Sequence, residues 1–554
     1  MGDIAVGIFE ETLEQLLVSC EIKSIRKEEH QLRSLQKEIK CMREFLKVTE
    51  KKRYEHSEVM NLVRQIKDVV SEVENIVELF VVQAVKALDA DEGHPSLHLG
   101  SILKIMTLVG EIKQIYKENM YDVNGVADRK LKQYVSKSEV EDKTPNVWEN
   151  VSKHLSSIIA KNHDDCMKIL ELSYNHLPFH LKECFLYIGG FPEDSEILVR
   201  ELIWLWIAEG FIQSEGIKSL EDVANDYLSN LIDRSLIMAA KKRSSGGVKT
   251  CRIHDLLREL CLNKAEEDNF LVQIYGNGTF SPSTATKHRR LFVGSQFFRE
   301  FRALFVGSQF FREFRSKPCA RNLRSLVCRR LQSSTPSSFE DLSFIVRNFE
   351  LLRVLHFISD NFIGLGRGHL VNLRYLALEL PRKSLGAESS LFYLFNLETL
   401  TMENELTTLP PVLKFPPTVT RLTLKNTLLK WEALSVLHTL PRLEVLNLLN
   451  RSCCGPMWNT SEFDQEFSHL KYLKLEFVYV IEWIASEDQF PRLEVLVLHQ
   501  LKDLEEIPFE FAQLEELREI RIRGCRPPIL QSARKLEEER KRVRGDDGFI
   551  NILT

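Results

Sequence analysis

The chain lacks several features at once, and each absence narrows what its 554 residues can be. No uninterrupted apolar run reaches about 18 residues, so no helix is expected to span a bilayer, and membrane contact is not indicated. No basic-then-apolar opening marks a secretory signal. The net charge of −5 is too small for bulk attraction to nucleic acid, and no nucleic-acid partner is expected. The eleven cysteines include no CxxC pair, and adjacent Cys453 and Cys454 suit neither a disulfide framework nor zinc spacing. Reduced thiols in a cytoplasmic protein without a metal site are expected. No GxxxxGK[ST] phosphate loop occurs. The nearest cluster, Gly246-Gly247-Val248-Lys249-Thr250, lacks the first glycine. Without backbone amides curled around phosphates and a lysine reaching them, tight nucleotide binding has no seat. No catalytic constellation stands out, and the protein is expected not to be an enzyme.

What is present reads as several domains. Apolar residues make up 44% and charged residues 28%, an ordinary globular balance, and the length predicts three or four domains at roughly 100–200 residues each. Residues 1–120 are expected to be helical. Before residue 89 there is no proline, glycine appears only as Gly2 and Gly7, and apolar stripes run through Ile4, Ile8 and Leu13, through Leu32, Leu35 and Ile39, and from Val59 to Phe80. Glu74 and Glu78, flanking Asn75, lie four apart on one helix face, which either meets a basic partner or faces water. Residues 121–144 are a polar linker.

Residues 145–275 hold a second apolar region. Leu170, Leu172, Leu177 and Leu181 fall at helical spacing, and Phe191-Pro192-Glu193-Asp194 breaks the pattern. A second helix then puts Leu202, Ile203, Leu205, Trp206 and Phe211 on one stripe. A hairpin with its tip at Lys241 to Gly247 precedes Ile253-His254-Asp255, where Asp255 is placed to cap a following helix. The basic tip reads as a solvated turn rather than a DNA contact.

In the connector, residues 276–320, the phrase LFVGSQFFREFR occurs at 291–302 and again at 304–315, a tandem duplication. The second copy of this strand-like segment either extends the entry to the repeats or loops out, and in a looped-out copy Phe297, Phe298, Phe310 and Phe311 are an aggregation liability. Residues 321–532 repeat a Leu-x-x-Leu-x-Leu phrase, with instances at Leu352, Leu373, Leu397, Val419 and Leu443, separated by 21, 24, 22 and 24 residues. That is leucine-rich-repeat spacing. Each phrase is a short strand whose leucines stack inward on its neighbours. The positions expected to line an exposed recognition surface are Arg353, His356, Arg374, Tyr375, Glu444, Asn447, Lys471, Tyr472, Glu494 and Val497. Residues 533–554 are a charged tail, helix-like from Ala533 to Arg544 and expected to fray from Gly545 to Thr554.

The order of words from 172 to 212, with LSYNHLPFHLKECFLYIGGFPED followed by LIWLWIAEGFI, resembles the winged-helix segment of plant intracellular immune receptors of the coiled-coil, nucleotide-binding, leucine-rich-repeat type, in a late-blight-resistance-like form. The resemblance implies a multidomain fold: an N-terminal α-helical bundle, an α-rich winged-helix domain and a C-terminal α/β leucine-rich-repeat solenoid. It aligns Glu74-Asn75-Ile76-Val77-Glu78 with the family's acidic motif, which docks on arginines of the repeats, and Ile253-His254-Asp255 with its Met-His-Asp motif, whose histidine touches bound ADP. Intact members bind ADP or ATP. Here a linker stands where the nucleotide-binding domain belongs, so no cofactor is expected in this chain and His254 and Asp255 are a vestigial site. The implied partners are a pathogen effector or a guarded host protein at the repeats, and other immune receptors or the chain itself through residues 1–88. Three readings stay open: a disease-resistance receptor homologue without nucleotide switching, a full ADP/ATP-dependent switch truncated by gene model or splicing, and an unrelated helical-repeat scaffold.

Overall fold

The structure is a computed structural model. It describes residues 177–213, 218–242, 247–274, 288–294, 322–329, 349–358, 370–379, 394, 396–403, 415–461, 466–544 and 550–553, with scattered positions before 177. The linker, the second copy of the duplicated phrase and most of residues 1–120 lie outside them. The helices are α1 (Phe179–Ile188), α2 (Val199–Glu209), α3 (Leu220–Asp233), α4 (Asp255–Glu267) and α5 (Pro527–Arg544). The chain divides into two compact units. One comprises residues up to 197, 210–238 and 252–270, and the other 198–209, 239–251 and 271–554.

The first unit is built on α1, α3 and α4. Pro178 precedes α1 with φ −54, already suited to a helix, and its missing N–H costs nothing at a helix start. Cys184 to Ile188 are all buried. Asp194 takes the left-handed conformation, φ 54, in the predicted break. Ser219 caps α3 by accepting from the Asp222 N–H at 3.2 Å. Helices α1 and α4 approach closely enough that a Cβ at Gly189 would stand 2.5 Å from the Cys261 Cβ, so only glycine fits. The Cys261 thiol donates to the Phe185 carbonyl at 3.4 Å, and burial pushes its pKa up. The Cys251 thiol of the second unit is pushed up to about 12, also by burial. Every cysteine among the described residues is a free thiol.

The second unit is a solenoid around one parallel sheet. Its early strands are β1 (Ile197–Leu198), β2 (Met238–Lys242) and β3 (Val248–Arg252), which form a small sheet in the order β1-β3-β2. Then come β4 (Val272–Ile274), β5 (Arg290–Gly294), β6 (Ser325–Arg329), β7 (Val354–Ile358), β8 (Tyr375–Glu379), β9 (Thr399–Glu403) and β10 (Arg421–Lys425). The rest are β11 (Leu429–Lys430), β12 (Val445–Leu449), β13 (Cys453–Cys454), β14 (Met457–Asn459), β15 (Tyr472–Glu476), β16 (Glu482–Ile484), β17 (Val495–His499), β18 (Glu519–Arg523) and β19 (Asn551–Leu553). Twelve of them, β4 to β10 with β12, β15, β17, β18 and β19, pair side by side in chain order. Leu376, Leu400, Leu422, Leu446, Leu473, Leu496 and Ile520 share one register row and are all buried. Burying each such side chain stabilises by about 1.5–3 kcal/mol, and only a neighbouring repeat supplies the cover.

Two expectations change here. The sheet starts before residue 321, with β4 at the end of the 145–275 region and β5 in the connector. Helix α5 buries Ile529, Ala533 and Leu536, and residues 550–553, expected to fray, instead add the last strand β19, with the Asn551 N–H donating to the Arg518 carbonyl at 2.9 Å. Among the described residues, the return segments of the repeats are 3-10 turns at Trp431–Thr439, Glu487–Gln489 and Phe509–Gln513, with the short pairs β11–β13 and β14–β16.

The return side carries an indole ladder. Trp431 stacks on Trp458, and Trp458 on Trp483, with centroids 4.7 Å apart at each step. The β14–β16 register sets Trp458 opposite Trp483, and the Trp431 N–H donates to the Gly455 and Tyr479 carbonyls at 3.2 and 3.0 Å. Gly455, at φ 150, lets its backbone come this close, since a Cβ would touch the Trp431 ring at 3.0 Å. Trp458→Ala is expected to cost about 3–5 kcal/mol, the range for deleting a buried aromatic. Urea unfolding followed by tryptophan fluorescence measures it. A loss under about 1 kcal/mol means the ladder is not part of the core.

Candidate functional site

The site is built by α2 against the open face of the solenoid sheet. A helix that is apolar on one stripe faces one neighbour, whereas one buried nearly all round is enclosed. The sequence pattern predicts one stripe, but Val199 and every residue from Leu202 to Glu209 is buried. The packing unit that α2 belongs to is the solenoid.

Both ends of α2 are tied to the sheet. At its start, the Arg200 guanidinium donates to the Asn447 Oδ1 at 2.9 Å and the Tyr472 hydroxyl at 2.8 Å, and lies over the Tyr472 ring at 4.7 Å. Asn447 in turn donates to the Thr423 hydroxyl at 3.0 Å. One turn into the helix, Glu201 stands 3.6 Å from the His356 Nδ1. At its end, Glu209 is 0% exposed. A carboxylate there opposes the helix dipole, so it needs cations. Arg290 donates to its Oε2 through Nε and Nη2, both at 2.9 Å, and the Ser325 hydroxyl donates to Oε1. Arg353 donates to the Glu209 backbone carbonyl at 3.3 Å.

Beyond α2 the open face holds a cavity of about 450 Å³, lined from His356 on β7 to Leu553 on β19, with Leu198, Trp204 and Lys249 also lining it. Its charges are largely paired. Lys425 meets Glu403 at 2.5 Å, Glu476 bridges Lys474 and His499, and Arg521 meets Glu519 at 2.8 Å. Burial raises the Glu476 pKa, but the Lys474 hydrogen bond and the Lys474 and His499 charges outweigh it and leave the carboxyl below its ordinary value. The His499 imidazole is held below its ordinary value by burial first, and then by the Lys474 and Lys249 charges.

The expected recognition residues divide into two sets. His356, Tyr375, Asn447, Tyr472 and Val497 all line the cavity. Arg374, Glu444, Lys471 and Glu494 sit one residue ahead of the strands, half-buried, and their carbonyls accept from the next repeat, as Glu444 does from the Lys471 and Tyr472 N–H groups at 2.9 and 3.0 Å. Exposure fails for three residues. Arg353 is 5% exposed, Asn447 1% and Tyr375 2%. The first two are covered because they bind α2. The residues that sequence reading missed are Lys474, Glu476, His499, Arg521 and Arg523 on the strands, together with Arg200 and Lys249. The two-residue alternation of a strand would have pointed to the strand positions, because outward residues alternate with the leucines.

The two acidic-motif glutamates are buried, Glu74 at 1% and Glu78 at 2%, which removes the water-facing alternative. The helix cap falls on a different residue from the one expected. The His254 Nδ1 accepts from the Leu256 N–H at 3.4 Å, while Asp255 is the first residue of α4, where its charge suits the helix dipole. Both side chains are exposed.

Glu209→Ala strands Arg290 in a buried place. It is expected to cost about 3–5 kcal/mol and to raise hydrogen exchange in β5 and β6, while Glu209→Gln costs less. Equal exchange in wild type and the alanine variant removes this pair from the account.

Residues 191–261 match the disease resistance protein winged helix domain, and residues 5–98 match the Rx N-terminal domain. The chain is 32% identical over 522 residues to a putative late blight resistance protein homolog, R1B-12, of Solanum demissum, covering 75% of this chain and 38% of the relative. It is 30% identical over 507 residues to the late blight resistance protein R1-A of the same species, covering 72% and 38%. It therefore spans little more than a third of the length of these relatives. With both domains in family order ahead of a repeat solenoid, the chain belongs to the plant disease resistance proteins of the coiled-coil, nucleotide-binding, leucine-rich-repeat family.

Proposed function

We propose that the chain is an innate-immunity protein that recognises a pathogen effector or a guarded host protein through the solenoid, and that it works without a nucleotide switch of its own. The observation that carries this reading is the short distance between its two matched domains. The N-terminal match ends at 98, the winged-helix match starts at 191, and the intervening sequence holds no phosphate loop. His254 then serves as a helix cap instead of a nucleotide sensor, and the protein binds rather than catalyses. Its place is the cytoplasm, where its free thiols stay reduced. Among the described residues no helix is long and apolar enough to cross a membrane. Residues 1–88 supply contacts with other receptors or a second copy of the chain.

A second reading has a specific observation behind it. The chain covers only 38% of its relatives' length, as a version of a full ADP/ATP switch shortened by gene model or splicing would.

Purified chain is expected to release no stoichiometric ADP or ATP on acid extraction and chromatography. Long-read transcripts are expected to run directly from the codon of Asn124 to that of Trp148. Bound nucleotide, or messages with a phosphate-loop reading frame inserted there, would favour the second reading over the first.

A further inference from the structure

The cavity on the open face is uneven in charge. On its distal strands, register places Lys474, Val497 and Arg521 in one row, and Glu476, His499 and Arg523 in the next. Adjacent strands stand about 4.8 Å apart, so these side chains converge within about 10 Å across three strands. Lys249 of β3 lines the same cavity. Four permanent cations thus share this end with two carboxylates, Glu476 and Glu519, both already engaged with Lys474 and Arg521. Among the described residues Lys249 and Arg523 meet no carboxylate, and both are exposed. A cleft lined by excess charge of one sign focuses its field on an incoming ion.

We propose that this end of the cavity is a binding site for a small, multiply charged anion of the oligophosphate class, with Lys249 and Arg523 as its principal contacts and Lys474, His499 and Arg521 completing the ring. The Gly246-Gly247-Val248-Lys249-Thr250 cluster lacks the glycine spacing of a phosphate loop, yet β3 brings its lysine to the cavity that the basic sheet end lines. Arg523 and Arg521 offer forked donors that match phosphate oxygens, and Lys249 adds a mobile point charge. The site does not depend on the immune reading.

Isothermal titration of the full chain with sodium tripolyphosphate in magnesium-free, low-salt buffer tests it. One-to-one binding that weakens as salt is raised is expected. The double variant Lys249→Gln, Arg523→Gln is expected to bind at least tenfold more weakly with an unchanged thermal midpoint. Lys535→Gln, on the exposed side of α5, is expected to bind as wild type does. Absence of binding to wild type overturns the proposal, as does equal binding by the double variant. Preference for hexaglutamate over tripolyphosphate also overturns it, in favour of an acidic peptide partner.

Discussion

A leucine-rich strand on its own leaves its apolar row in water until the next strand stacks beside it, and the second unit depends on this nearest-neighbour burial. The register is continuous from β4 to β19, so the leucines of one strand meet those of the next without a slip. A slip by one residue would turn each row to the opposite face. The indole ladder repeats the logic on the return side, where Trp431, Trp458 and Trp483 each cover the next. Uneven repeat lengths are absorbed in the turns, and 27 residues separate the start of β12 from that of β15 without disturbing the pairing. At the far end α5 covers the core. Arg540 donates to the Leu514 and Glu515 carbonyls, satisfying backbone groups that a following repeat would otherwise take.

The placement of α2 rests on a different balance. Its apolar surface runs all round, so it is stable only when enclosed. Its direction is set by polar contacts at its ends. Glu209 is the more consequential, because a buried carboxylate at a helix C-terminus is unfavourable until Arg290 and Ser325 meet it. Arg200 aligns the other end by reaching Asn447 and Tyr472. Together these contacts occupy the proximal strands. A partner that uses the sheet face is therefore directed to the distal strands, where Arg523 is exposed.

Much of the fold was legible because repeats declare themselves by period. The leucine phrase at Leu373, Leu397 and Val419 located β8, β9 and β10 before any coordinates, and the break at Phe191 to Asp194 separated α1 from α2. The word order around Trp206 pointed to the family through a run of residues too long and specific to be generic packing. The functional surface was less legible. Arg353 and Asn447 look like outward polar positions of a repeat, and nothing near them in the chain shows that α2, about 150 and 250 residues earlier, binds them. The duplicated phrase read as strand-like, and its first copy opens in β5, whereas β19 was hidden because three residues after a charged helix carry too little pattern.

By itself the sequence determined the solenoid, its approximate register, the order of the domains and the lack of a phosphate loop, since these follow from local period and short motifs. Only the tertiary structure decided which outward residues are covered and which converge. It buried Glu209 among cations, turned the expected exposure of Asn447 into a contact with Arg200, and brought Lys249 and Arg523 to one cavity. The physical reason is that burial and charge pairing depend on distances in space, and elements as far apart in the chain as β3 and β18 come together only when the whole unit folds.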